Sequence, residues 1–122
     1  MFSYQKIIKM YTIYHNPRCS KSRAGLAHVK SKTDKIEVVE YLKEPFTADI
    51  FKKLLMKLNK KPIEMVRTQE AIYKSDYKGK NFTDDEWVKI MIENPKLINR
   101  PIVVKGNKAV WGVPVDEIDV LF

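Results

Sequence analysis

Residues 15–23 of the chain read His-Asn-Pro-Arg-Cys-Ser-Lys-Ser-Arg, and they contain its only cysteine, Cys19. A short apolar run at residues 11–14, typical of a strand, precedes this segment. A stretch with helical character, residues 20–32, follows it. The pattern therefore places Cys19 on a strand-to-helix turn. Backbone N–H groups and the positive end of a helix dipole converge there, and both favour a thiolate over a thiol.

The flanks of Cys19 are polar and basic. Arg18, Lys21 and Arg23 supply three cations within four residues of the sulfur, and His15 lies four residues upstream. A single cysteine is more often a small buried apolar residue, and a lone histidine is more often structural. Because cationic flanks do not suit a core position, we interpret Cys19 as a reactive thiol.

Length and composition indicate a small globular protein. The chain has 122 residues, of which 44% are hydrophobic, and no apolar run approaches the roughly 20 residues of a membrane span. Residues 1–9 are too short and polar for a signal peptide, and Met10 offers an alternative start. We expect a disordered leader at residues 1–9 and a single domain at residues 10–122. One cysteine excludes an intrachain disulfide and favours a reducing, cytoplasmic location.

The net charge of +8 raises the question of nucleic-acid binding. The 23 lysines and arginines are spread along the chain rather than gathered in one block, and no DNA- or RNA-binding motif accompanies them. We expect a solvated basic face that attracts small oxyanions, with neither nucleic acid nor a membrane as partner. Two histidines and one cysteine lie far from ligand spacing, so no metal site is expected. A monomer is expected.

The rest of the chain alternates strands and helices. Residues 36–41 suit a strand, Thr47 suits a helix N-cap, and Thr83 with Glu86 forms a capping box that starts a helix ending near residue 94. Residues 102–104 and 109–111 suit a hairpin, and residues 115–121 a last short helix. Ala24, Ala27 and Val29 are predicted on the inner face of the first helix. The order predicts an α/β protein with a mixed four-stranded sheet, flanking helices, and a helical insertion between its β-α-β and β-β-α parts.

This order is similar to the thioredoxin fold, in which a redox cysteine begins the first helix and a cis-proline, here Pro101, precedes the third strand. Two segments sharpen the resemblance: His15-Asn-Pro-x-Cys19 followed by Ser22-Arg23, and residues 97–104, which read Leu-Ile-Asn-Arg-Pro-Ile-Val-Val. Together with residues 82–85, Phe-Thr-Asp-Asp, they resemble the glutaredoxin-coupled arsenate reductase (ArsC-like) family. The resemblance covers essentially the whole chain from residue 10 to about residue 114.

The resemblance implies a reductase that converts arsenate to arsenite. It implies no bound cofactor, with glutathione as co-substrate and glutaredoxin as the partner that resolves a mixed disulfide. It also implies the site residues: Cys19 as nucleophile; His15, Asn16, Arg18, Ser22 and Arg23 as the residues that tune the thiol and shape the anion loop; Arg67 and Arg100 as oxyanion ligands; and Pro101 as the cis-proline.

One position departs from the family pattern. Many of these reductases carry a third arginine before the proline that follows the hairpin, and this chain has Val113 there. An apolar side chain cannot hold an oxyanion. Either Arg18 or Lys21 replaces it, or arsenate binds weakly, or the natural substrate differs.

Two alternatives within the same fold therefore remain open. A thiol protein that acts on glutathionylated substrates, without arsenate activity, would suit the missing arginine. A transcriptional regulator of the Spx type often carries a Cys-x-x-Cys switch. Here Ser22 occupies the second position, which argues against that alternative.

Overall fold

A computed structural model of the chain describes residues 10–122; the leader expected at residues 1–9 lies outside the described residues. The described part divides into two compact units. The first contains the residues up to Glu44 together with Arg100–Phe122, and the second is Pro45–Asn99. The second unit is the predicted helical insertion.

Within residues 10–122, four strands form one sheet in the order β2-β1-β3-β4. The strands are β1 (Tyr11–His15), β2 (Ile36–Glu40), β3 (Ile102–Lys105) and β4 (Lys108–Trp111). The β1–β2 pair is parallel, whereas the β1–β3 and β3–β4 pairs are antiparallel. The β3–β4 hairpin turns at Gly106, whose φ of 59° lies in the left-handed region that glycine adopts without steric cost. The predicted mixed four-stranded sheet is confirmed.

Helix α1 (Ser20–Lys30) follows β1, and its buried face differs from the prediction. Ala24 and Ala27 are exposed, and the residues that face inward are Ser22, Gly25 and Val29. The reason is a close approach at Gly25, where an added Cβ would lie 2.5 Å from Pro101 Cγ. Only a residue without a side chain fits there, and this contact sets the rotation of α1.

The core of the first unit lies beside β1 and α1. One cluster of its buried apolar side chains is Tyr11, Ile13, Val29, Val103 and Ile118. Ile118 comes from the predicted last helix, which is a 3₁₀ helix at Val115–Leu121. The alternating burial along β1 is the period-2 pattern of a strand whose alternate side chains face the core.

The second unit contains α2 (Ala48–Leu58), α3 (Asp84–Glu93) and three short helical segments, Pro62–Met65, Tyr73–Tyr77 and Pro95–Leu97. Thr47 caps α2, since its Oγ1 accepts the Ile50 N–H at 3.2 Å. The predicted capping box of α3 is present. The Thr83 N–H donates to Glu86 Oε1 at 2.8 Å, and the Glu86 N–H donates to Thr83 Oγ1 at 3.2 Å.

No helix among residues 10–122 is long and apolar enough to cross a membrane.

Candidate active site

The turn that carries Cys19 connects the end of β1 to the start of α1. Cys19 is the N-cap residue of α1, with extended backbone angles φ −95° and ψ 123°. Its N–H donates to the Asn16 carbonyl at 3.0 Å, and its own carbonyl accepts the Arg23 N–H at 3.0 Å. The sulfur therefore lies at a helix N-terminus, where the first N–H groups of the helix lack intrahelical acceptors. The predicted strand-to-helix position of Cys19 is confirmed.

The surroundings of Cys19 lower the pKa of its thiol. Burial is the largest single influence and acts in the opposite direction, because it disfavours the charged form. The Ser22 backbone N–H, the side chain and charge of Arg100 and the Lys21 backbone N–H favour the thiolate, and together they outweigh burial. Cys19 is also only half-buried, so a reactant can reach the sulfur. A lowered thiol pKa favours the thiolate, which is the form of cysteine that reacts as a nucleophile.

Ser22 links the end of β1 to the first turn of α1. Its Oγ accepts the Asn16 N–H at 2.9 Å and lies 2.7 Å from His15 Nδ1. His15 is only 5% exposed, and this burial is the main cause that lowers the pKa of its imidazole. A lowered pKa favours the neutral form of the ring at pH 7. His15 contacts the cysteine turn through the Ser22 hydroxyl.

Asn16 shapes the same turn. Its Oδ1 accepts the Arg18 N–H at 3.0 Å, which is the local hydrogen bond of an Asx turn. Arg23 closes the loop from the helix side, since its guanidinium donates to the Pro17 carbonyl at 3.0 Å. The Arg18 side chain is exposed to solvent.

Arg100 is the cationic residue whose side chain lies beside the Cys19 sulfur, and it is located two residues before the start of β3. The Arg100–Pro101 peptide bond is cis, as is Val113–Pro114. The Trp111 Nε1–H donates to the Arg100 carbonyl at 3.3 Å, and the Gly112 N–H donates to the Pro101 carbonyl at 2.9 Å.

Two features of this corner were not predicted from the sequence. Trp111 reaches Arg100, and two glycines, Gly25 and Gly112, leave room around the Pro101 ring. The hairpin register could have indicated the first feature, because a two-residue turn at residues 106–107 sets Trp111 opposite Ile102, next to the proline.

Arg67, the other predicted oxyanion ligand, belongs to the second unit. Its backbone N–H donates to the Leu97 carbonyl at 2.6 Å, and its guanidinium forms an ion pair with the Glu70 carboxylate. An antiparallel bridge between Val66 and Ile98 holds the adjacent backbone. The role of Arg67 in binding an oxyanion stays a prediction.

Among residues 10–122, no group of three or more His, Cys, Asp or Glu side chains is arranged to hold a metal ion. The chemistry that this corner can perform is that of a thiolate beside a guanidinium and a set of backbone N–H donors. Such a combination has the donors to bind a tetrahedral oxyanion and a sulfur able to attack it.

Comparisons with known proteins agree with this geometry. The model of the ArsC family matches residues 14–121. An uncharacterized protein, YfgD, of Escherichia coli K12 is 38% identical over 112 residues, which are 90% of this chain and 94% of that protein. An arsenate reductase of Neisseria meningitidis serogroup A is 35% identical over 109 residues, which are 88% of this chain and 93% of that protein.

Among solved structures, an arsenate reductase from Vibrio cholerae superposes with a TM-score of 0.87 at 35% identity, covering 93% of this chain and 98% of the other. The similarity thus extends over the thioredoxin-like sheet, the cysteine turn and the helical insertion. On the strength of the family match and these relatives, the chain belongs to the ArsC family.

Proposed function

We propose that the protein is an arsenate reductase in which Cys19 is the nucleophile. The observation that carries this proposal is the half-buried Cys19 sulfur at the N-terminus of α1, with the Arg100 side chain beside it and a lowered thiol pKa. Relatives that bear the name arsenate reductase, 35% identical to this chain, support the choice of arsenate.

The first step is the attack of the Cys19 thiolate on arsenic. An S–As bond forms, and one arsenic oxygen leaves as hydroxide or, once protonated, as water. Arsenic is still pentavalent at this stage. The positive charge of Arg100 and the backbone N–H groups of the turn stabilise the oxygens that carry the negative charge.

The second step is the reduction. The sulfur of glutathione attacks the arseno-cysteine adduct and forms an S–S bond with Cys19. The electron pair of the S–As bond stays on arsenic, which becomes trivalent and leaves as arsenite. Glutaredoxin then takes the glutathione from Cys19 by thiol–disulfide exchange. An external thiol is required because the chain has only one cysteine and cannot form an internal disulfide. Such thiols are abundant in a reducing cytoplasm, where we place the protein.

Oxyanion binding is proposed for Arg100 and Arg67. A planar guanidinium matches two oxygens of a tetrahedral anion, which a lysine cannot do with the same geometry. Val113 stands where many of these reductases have a third arginine, and Arg18 or Lys21 is the candidate to replace it.

The test is arsenate-dependent oxidation of NADPH, with glutathione, glutathione reductase and glutaredoxin supplied, for the wild type and Cys19→Ser. We expect turnover in the wild type and none in the variant, which should keep its circular dichroism spectrum. Omission of glutaredoxin should lower the wild-type rate, whereas thioredoxin with its reductase should not restore it. Turnover in Cys19→Ser would contradict the nucleophile assignment.

Val113 favours a second candidate, a thiol protein of the same family that acts on glutathionylated substrates. An alkylation experiment separates the two candidates. Arsenate should protect Cys19 from iodoacetamide only if the protein holds an oxyanion next to the sulfur. Rapid alkylation that arsenate does not slow, together with release of glutathione from a glutathionylated peptide, would favour the second candidate.

A further inference from the structure

The indole of Trp111 makes a contact that the sheet itself cannot make. Trp111 is the last residue of β4, it is half-buried, and its Nε1–H donates to the Arg100 carbonyl at 3.3 Å. Arg100 is also the residue whose side chain hydrogen-bonds the Cys19 sulfur. The indole and the thiol are therefore connected through one residue.

The backbone hydrogen bonds between β3 and β4 end at Pro101, the residue after Arg100. Ile102 pairs with Trp111, and the Gly112 N–H reaches back to the Pro101 carbonyl at 2.9 Å. Pro101 has no N–H, so the ladder loses a donor at the point where the chain enters β3. The Trp111 side chain continues the pairing by one residue, because its N–H reaches the carbonyl that lies before the proline.

The Pro101 ring is held by packing against two glycines and not by hydrogen bonds. Gly25 and Gly112 leave space for it, and a Cβ added at these two positions would lie 2.5 Å and 3.2 Å from Pro101 Cγ. This packing fixes the proline ring but leaves the preceding peptide to hydrogen bonds. The indole N–H of Trp111 is a side-chain donor to that peptide.

We propose that Trp111 is a positioning residue for Arg100: its indole N–H anchors the Arg100 carbonyl and so orients the guanidinium toward the Cys19 sulfur. The inference rests on the proposed function, in which Cys19 reacts as a thiolate. It assigns to an aromatic residue of the hairpin a part in setting the reactivity of a cysteine on the other side of β3.

The test compares Trp111→Phe with the wild type in the pH dependence of Cys19 alkylation by iodoacetamide. Phenylalanine keeps an aromatic ring in place, removes the N–H donor and makes the side chain smaller by one ring. We expect the midpoint of the profile to rise by about 0.3 to 1 pH unit, which is less than the roughly 1 to 3 units expected when a neighbouring opposite charge is removed altogether. The kcat/KM for arsenate should fall about two- to tenfold, the range that one hydrogen bond can supply.

Trp87→Phe is the matched control. Trp87 is 2% exposed and packs against the rings of Tyr77 and Phe82, so the same substitution shrinks a buried aromatic side chain whose aromatic neighbours belong to the second unit. It should lower the thermal stability and leave the alkylation midpoint at its wild-type value. A second variant replaces Trp111 by benzothienylalanine, which has the shape of tryptophan with sulfur in place of the N–H and so removes the donor without changing the size of the side chain.

The outcomes are distinct. If the alkylation midpoint of the wild type lies below about 8.5 and both Trp111 variants have the same midpoint, this inference is wrong and the proposed function is unaffected. A wild-type midpoint near 8.5, the value of an ordinary thiol, would contradict the thiolate assignment itself and this inference with it. A raised midpoint in both Trp111 variants, with Trp87→Phe unchanged, is the result that we expect.

Discussion

Gly25→Ala should destabilise the protein, although the same change in most helices does the opposite. Alanine is favoured over glycine in a helix interior by about 0.8 to 1 kcal/mol. Gly25 lies in the middle of α1, so helix propensity alone predicts a gain. Its packing reverses that expectation, because the added Cβ would lie 2.5 Å from Pro101 Cγ and 3.6 Å from Ile118 Cδ1.

The magnitude follows from these two effects. Carbon atoms in good contact are about 3.5 to 4.0 Å apart, so the first distance is a clash and the second an ordinary contact. Overpacking of this kind costs about 1 to 3 kcal/mol. The Pro101 ring is rigid and also lies close to Gly112, so it cannot easily move away from a side chain at position 25. After the propensity gain is subtracted, we expect a net loss of about 1 kcal/mol, or about 3 to 5 °C in Tm.

Urea and thermal unfolding of Gly25→Ala would measure this loss. Ala27→Gly, at an exposed position of the same helix, measures the preference of α1 for alanine in the absence of any clash and should cost about 1 kcal/mol. Displacement of Pro101 should also move Arg100, so the alkylation midpoint of Cys19 should rise in Gly25→Ala and not in Ala27→Gly. A Gly25→Ala protein as stable as the wild type, or more stable, would refute the reasoning.

Three further variants test other parts of the structure. Arg100→Ala should raise the apparent pKa of the Cys19 thiol by about 1 to 3 units and should raise KM while lowering kcat for arsenate, with Arg100→Lys restoring part of the pKa change; an unchanged alkylation profile would place Arg100 outside the site. Cys19→Ser should reveal how much the thiolate stabilises the fold, because the pKa of Cys19 in the folded state lies below the ordinary value of about 8.5. The free energy of unfolding of the wild type, relative to that of the variant, should therefore increase as the pH rises from the folded-state pKa to about 8.5 and stay constant above it. Urea titrations that show the same difference at every pH would be inconsistent with a lowered pKa. Thr83→Ala should cost about 1 kcal/mol because it removes the acceptor of the Glu86 N–H, and an unfolding midpoint equal to that of the wild type would show that the cap adds nothing.

Several elements could be predicted because their causes are local. The capping box at Thr83 and Glu86, the cap at Thr47 and the turn at Gly106 depend on contacts between residues a few positions apart. The strand-to-helix turn at Cys19 is of the same kind. The apolar runs and the turn signals between them set the order of strands and helices, and the order restricted the sheet to the mixed arrangement that the structure has. The family resemblance then supplied the residues of the site, whose individual roles stay predictions.

Other features depend on residues that are distant in sequence. Periodicity placed Ala24 and Ala27 inside, but α1 is rotated so that Gly25 meets Pro101, a contact across 76 positions of the chain that no local pattern records. The contact of Trp111 with Arg100 and the burial of His15 likewise exist only once β3 and β4 are aligned and β1 is covered.

The sequence alone thus determined the identity of the elements and the placement of one thiol at a helix N-terminus, because helix caps, turns and hydrophobic periods are local properties. Only the tertiary structure decided which face of α1 is buried, that burial lowers the pKa of His15, and which guanidinium lies beside the sulfur. These features depend on close packing and on the burial of charge, and both arise when distant segments meet.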